Sequence, residues 1–144
     1  MKTVEQILEG KAQRLLSVAP DETVYDALKM MAEHEVGALI VLDGERLVGI
    51  FSERDYARKV ILHGKSSREI PVRDIMTSRV ITVRLNQTLA DCMTLMTDHH
   101  IRHLPVVTDG ELAGLVSIGD VVKGIITEQE FLIDQLQNYI SGQR

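Results

Sequence analysis

Tryptophan is absent from this 144-residue chain, and only three tyrosines and two phenylalanines make up its aromatic content. With 44% of residues apolar a sizeable core can form, but it has to be built from aliphatic and methionine side chains. Cysteine occurs once, at Cys92, so an internal disulfide is excluded. A lone cysteine at an apolar helix position reads as a small buried core residue in a reducing compartment, with the cytoplasm as the simplest setting. Basic excess is missing too: a formal charge of −5 offers no stripe for a nucleic acid backbone. The longest apolar run, Ala38 to Leu42, is far too short to cross a bilayer, and the N-terminus lacks the basic-then-apolar order of a signal peptide. These absences point to a soluble domain that engages neither nucleic acid nor membrane.

What the chain does contain is one passage written twice, 65 residues apart. Thr23 maps onto Thr88, Asp26 onto Asp91, Met31 onto Met96, His34 onto His99, Leu39 onto Leu104, Gly49 onto Gly114, Ser52 onto Ser117 and Asp55 onto Asp120, with no gap. Between Val18 and Asp55 this register gives eleven identities, and many other pairs exchange one apolar residue for another. One supersecondary unit has been duplicated. Two such units side by side commonly enclose a cleft near a pseudo-twofold axis, so a ligand held between them is the first expectation.

Each copy reads as a short leading strand, then helix, strand, strand and helix. Thr23 caps a helix carrying Val24, Ala27, Leu28 and Met31 at helical spacing, and Asp26 sits three residues after the cap. Ala38 to Leu42 is a strand that meets Asp43-Gly44, a strong hairpin signal, and returns from Leu47 to Phe51. A second helix is expected from Ser52 to about Leu62. The second copy retraces this path through Thr88, the strand Leu104 to Val107, Asp109-Gly110, the return Leu112 to Val116 and a helix from Ser117. Residues 1–64 are thus read as an N-terminal helix plus the first repeat, 65–71 as a linker, 72–127 as the second repeat opened by a short helix, and 128–144 as a C-terminal helix and tail. The N-terminal helix carries a Thr3, Gln6 capping box. The C-terminal one presents Phe131, Leu132, Leu136, Tyr139 and Ile140 close to one face, which calls for a covering partner, most simply a second copy of the chain.

The paired features together resemble the cystathionine β-synthase (CBS) domain, and their tandem arrangement resembles a Bateman module. The resemblance rests on Ile-Arg-His-Leu-Pro-Val at 101 to 106, the two Asp-Gly hairpins, Leu-Val-Gly-Ile-Phe-Ser-Glu-Arg-Asp at 47 to 55 and Leu-Ala-Gly-Leu-Val-Ser-Ile-Gly-Asp at 112 to 120. It covers about Leu16 to Ile126. It implies an α/β (α+β) fold of two β-α-β-β-α repeats packed through their sheets with pseudo-twofold symmetry and flanking helices. It also implies adenosine-bearing ligands in the clefts and pairing into a homodimer. AMP is the foremost ligand expected, with ATP, NAD(H) or S-adenosylmethionine as alternatives and no metal required.

Ser52-x-x-Asp55 and Ser117-x-x-Asp120 have two readings. One is plain helix capping, a device this chain also uses at Thr23-x-x-Asp26 and Thr88-x-x-Asp91. The other draws on position: a helix start offers N–H groups and a positive dipole end to phosphate, while Asp accepts both hydroxyls of a ribose. By resemblance the base is held by the opposite repeat, so Asp55 would work with Val80, Ile81 and Ile101, and Asp120 with Ser17, Val18 and Val36. Each of these aliphatics also reads as core. Beside Asp55 stand Arg54, Arg58 and Lys59, with Arg102 and His103 facing. Beside Asp120 only Lys123 is basic, and Gly37 and Ala38 face it. This asymmetry predicts a tighter or more highly charged ligand at Asp55. A metal at His99, His100 and His103 lacks a ligand set, His99 being better suited to helix capping. Neither serine has a base beside it, so no catalytic residue is assigned. The expected function is a non-enzymatic sensor that couples nucleotide binding to a dimer or partner protein; the rivals are a ligand-free structural pairing module and a nucleotide-using enzyme.

Overall fold

The computed structural model describes residues 2–11 and 15–142. In chain order its elements are α1 (Val4–Glu9), β1 (Ser17–Val18), α2 (Val24–His34), β2 (Ala38–Asp43), β3 (Arg46–Ser52), α3 (Glu53–Lys59), α4 (Leu89–His99), β4 (His103–Thr108), β5 (Glu111–Ser117) and α5 (Ile118–Ile140), with 3₁₀ turns at Ile61–His63 and Val72–Asp74. Among the described residues this is a mixed α/β fold of five helices and two small sheets. The elements gather into two units, residues 15–80 and residues 81–142 joined by 2–11.

In the first unit β1 runs parallel to β2, which pairs antiparallel with β3. Alternate sheet residues Leu39, Val41 and Phe51 form a core with Val24, Ala27 and Met31 of α2 and with Val60 and Val72, as period-2 and helical spacings require. Leu104, Val106 and Val116 repeat this in the second unit with Leu89, Cys92 and Met96 of α4, and Cys92 is buried. Here the leading strand shrinks to a single bridge, Val83 to Val106, so the sheet has two strands. The Thr23, Ser52, Thr88 and Ser117 side chains each cap the helix that follows them. His34 and His99 end their helices, but the left-handed C-caps are Glu35 and His100, so the capping place expected for His99 falls one residue later.

The second hairpin turn falls where expected, at Asp109-Gly110, and the first lies one residue beyond Asp43-Gly44. Asp43 pairs with Arg46, which leaves Gly44 and Glu45 as the loop, whereas Thr108 pairs with Glu111 and leaves Asp109 and Gly110. The loops therefore coincide in the 65-residue register although the Asp-Gly pairs do not. A two-residue loop needs left-handed backbone at its first position or at both: Gly44 supplies it alone, and Asp109 with Gly110 supplies both.

The N-terminal helix, grouped by sequence with the first repeat, belongs to the second unit. Val4 N–H donates to Gln87 O, Glu5 N–H to Leu85 O, and Leu89 N–H to Lys2 O. Residues 70–73 make the matching bonds in the first unit: Val72 N–H to Glu22 O, Arg73 N–H to Pro20 O, and Val24 N–H to Ile70 O. These lead-in segments repeat at a spacing of 68 (4 to 72, 5 to 73), not 65. Each inserts a fully buried valine, Val4 or Val72, into a core formed mostly by the other stretch of sequence. Hairpin glycines make room for them. A Cβ on Gly114 would lie 2.9 Å from Leu8 Cδ2, and one on Gly49 would lie 2.6 Å from Met76 Sδ.

Two helix boundaries also shift. α3 stops at Lys59 and tightens into the 3₁₀ turn before Gly64, rather than running to Leu62. At the other end, the helix expected from Ser117 and that expected over 128–140 are one continuous 23-residue helix, α5. Nothing between them breaks the helix, since Gly124 is buried and a Cβ there would meet Leu89 Cδ1 at 3.0 Å. Beyond Gly124 the helix leaves Phe131, Leu132, Ile133, Leu136, Tyr139 and Ile140 more than half exposed. Among the described residues no helix is long and apolar enough to cross a membrane.

Candidate functional site

Both Ser-x-x-Asp pairs close capping boxes, so the capping reading holds for each. They differ in what remains of the carboxylate. At Asp55, Oδ2 accepts the Ser52 N–H at 3.0 Å and its hydroxyl at 3.1 Å, while Oδ1 accepts the Thr77 hydroxyl at 3.1 Å. Lys59 Nζ adds an ion pair at 3.2 Å and donates to Ile75 O at 2.9 Å. A carboxylate has about four acceptor positions, and all are used here. Asp55 is 8% exposed.

Asp120 is built differently. Its Oδ2 accepts the Ser117 N–H at 2.9 Å and the Lys11 ammonium at 2.8 Å, while Oδ1 has no partner among the described residues. Its side chain keeps 23% of its surface open. Lys11 also donates to Leu115 O at 2.8 Å, which pins it across the end of β5. The register His103 to Ser117 sets the imidazole beside the same helix start, and Ile118 N–H donates to Arg102 O at 2.8 Å. Gly119, exposed and without a side chain, follows in the first turn of α5.

The electrostatics follow from this packing. Burial by itself would raise the Asp120 pKa, but the Lys11 ammonium and the Ser117 hydrogen bonds outweigh it and hold the carboxyl below its ordinary value. Burial, helped by the Lys11 and Arg102 charges and opposed by Asp120, lowers the His103 pKa below the ordinary 6.5. In both cases the folded state favours the deprotonated form. The His103 contribution to stability is complete above pH 6.5 and fades as pH falls through the lowered folded value; that of Asp120 is complete above 3.8 and fades below it. Urea midpoints measured against pH should therefore fall on acidification from pH 6.5, and His103→Gln should flatten the upper part of that slope. An unchanged slope in the variant would contradict this environment.

Ser17, Val18, Val36, Gly37, Ala38, Ser52, Arg54, Asp55, Arg58, Lys59 and Val80 belong to the first unit; Ile81, Ile101, Arg102, His103, Ser117 and Asp120 belong to the second. Gly37 and Ala38, expected opposite Asp120, adjoin the start of α3: Ala38 pairs with Ser52, and Glu53 N–H donates to Gly37 O at 3.1 Å. Arg102 and His103, expected opposite Asp55, adjoin Ser117 and Asp120. The hairpin register dictates both placements. Val18 is buried, and Val36, Ile81 and Ile101 pack on the cores of their own units, so a core role is present for each. Arg54, Arg58 and Lys123 are exposed. Among the described residues no three His, Cys, Asp or Glu side chains are grouped to hold a metal.

Two contributors were not anticipated, Lys11 and Thr77, because both lie in the lead-in segments outside the 65-residue register. A usable signal exists: at a spacing of 68, Val4, Ile7 and Lys11 align with Val72, Ile75 and Arg79.

The CBS domain family model matches residues 5–62 and again 72–127. The chain belongs to the CBS-domain family, as a tandem pair. A mitochondrial CBS domain-containing protein of Arabidopsis thaliana is 42% identical to this CBS pair over 149 residues, covering 97% of the chain and 72% of the relative. A solved protein with CBS domains from Burkholderia ambifaria is 49% identical, with a TM-score of 0.86 over 89% of this CBS pair and 96% of that chain. A CBS domain pair solved in complex with 5′-methylthioadenosine and S-adenosyl-L-methionine shares the fold at 22% identity, with a TM-score of 0.77 over 89% of this chain and 98% of that one. CBS pairs are in general regulatory, ligand-binding proteins.

Proposed function

We propose that this CBS pair is a non-enzymatic sensor of adenosine nucleotides, AMP foremost, with ATP, NAD(H) and S-adenosylmethionine as the alternatives. The observation that carries the reading is Oδ1 of Asp120 at the start of α5, which has no partner among the described residues. A partly exposed carboxylate with a free oxygen can accept sugar hydroxyls, and the exposed Gly119 lets a phosphate approach the helix N-terminus beside Lys11 and Arg102. The adenosyl ligands of the related CBS pair support the choice of base. Asp55, with its acceptor positions filled, serves as the weaker site and must release Thr77 to take a sugar. This reverses the ranking expected from the count of basic residues, because that count misses Lys11.

The dimer completes the reading. Along α5, Ile126, Ile133 and Ile140 recur every seven residues and alternate with Val122, Gln129 and Leu136 at the same period, a spacing suited to a two-stranded helix pair. Sedimentation at micromolar concentration should give a dimer, and Ile133→Glu with Leu136→Glu should give a monomer; a monomeric parent would remove this element. Ligand coupling to such a dimer, or to a partner protein in the cytoplasm, requires only about 1–3 kcal/mol of differential affinity. Binding itself is tested by thermal unfolding: AMP at a hundred times its Kd stabilises by about 2.7 kcal/mol. No rise in Tm with any adenosyl ligand at millimolar concentration would leave the structural pairing module in its place.

A further inference from the structure

We propose that Lys11 makes the Asp120 site selective for phosphorylated nucleosides, by standing between the carboxylate that takes the sugar and the phosphate that the same carboxylate would repel. The inference rests on the nucleotide reading of that site. Any nucleotide gripped through its ribose by an aspartate brings its own phosphate close to a like charge, and at a partly exposed position that repulsion is only partly screened. Lys11 answers this conflict by position. Its ammonium is 2.8 Å from Asp120 Oδ2 and 2.8 Å from Leu115 O, so Asp120 is neutralised before any ligand arrives. An ammonium carries three donors, and among the described residues two are used, which leaves the third for a phosphate oxygen. The lysine leaves Oδ1 open, so the sugar need not displace it.

The first unit does not reproduce this arrangement. There the ion-pair partner is Lys59, from the same helix as Asp55, and the lead-in segment contributes the uncharged Thr77 hydroxyl. Lys11 reaches Asp120 from the lead-in segment, 109 residues away in sequence. Arg79 aligns with Lys11 at the spacing of 68 but does not pair with Asp55 among the described residues, so the two carboxylates differ in the charge that their lead-in segments bring against them.

The test is calorimetric titration of AMP and of adenosine into Asp55→Ala protein, so that the Asp120 site is read alone, with Lys11 intact, as Lys11→Met and as Lys11→Arg. With Lys11 intact or as arginine, AMP should bind more tightly than adenosine. With methionine, AMP affinity should fall tenfold or more while adenosine holds or gains. Equal losses of both ligands in Lys11→Met would make Lys11 a structural pin and overturn the inference, as would no change in either. If the methionine variant does not fold, Lys11→Gln takes its place with the same expected split. Asp120→Ala separates the two levels. A loss of both ligands in it with an unchanged AMP-to-adenosine ratio in Lys11→Met sinks only the selectivity role, whereas no effect of Asp120→Ala on either ligand sinks the nucleotide reading and this inference together.

Discussion

Val4→Asp is expected to be among the most damaging single substitutions in the chain, although Val4 stands only four residues from its beginning. Val4 is fully buried in the second unit's core beside Val83, Leu89 and Val121, and its N–H is bonded to Gln87 O at 2.8 Å. A carboxylate there would either lie unpaired in an aliphatic core or drag the lead-in segment out of it. Unpaired buried charge costs several kcal/mol, a large share of the 5–15 kcal/mol that ordinarily separates folded from unfolded chains. Urea unfolding should show a loss of about 4 kcal/mol or more, with hydrogen exchange accelerated at Leu89 and Val106. The adjacent and exposed Glu5→Ala should stay within about 0.5 kcal/mol of the parent. A mild effect of Val4→Asp would mean that the first residues do not complete the second repeat.

Asp120→Ala carries the other large expectation. Hydrogen bonds to a charged group are worth about 1.5–3 kcal/mol, so losing those from ribose should weaken AMP about ten- to a hundredfold. Asp55→Ala should weaken it less, because Asp55 spends its acceptors on Ser52, Thr77 and Lys59. The substitutions must be read against stability, since each removes half of a capping box and costs about 0.5–2 kcal/mol. Titration well below the melting temperature separates the two effects. Equal losses from both variants would contradict a difference between the two sites.

Much of this architecture is legible in the amino-acid sequence, because duplicated local signals reinforce one another. Thr23, Ser52, Thr88 and Ser117 announce their helices, and the apolar spacing places Leu39 with Val41 and Leu104 with Val106 on buried faces. The lead-in exchange is less legible. Its register is 68, it offers few identities such as Val4 with Val72 and Ile7 with Ile75, and it is settled by long-range backbone bonds that leave no local pattern. Lys11 was missed for the same reason: nothing near it in sequence predicts a carboxylate 109 residues away. The continuity of α5 is less legible, because Gly124 is a poor helix former whose place is explained only by the close approach of Leu89. Charge counting does not register the cation that meets Asp120: Arg54 and Arg58 lie exposed on α3, whereas Lys11 comes from the lead-in segment.

An amide-resolved NMR titration of the intact protein with AMP addresses the central claim most directly. The Ser117, Gly119 and Asp120 amides should shift together and saturate, with smaller changes at Ser52 and Asp55. A saturating response confined to other residues, or none up to millimolar AMP, ATP, NADH and S-adenosylmethionine, would contradict a nucleotide site at the start of α5.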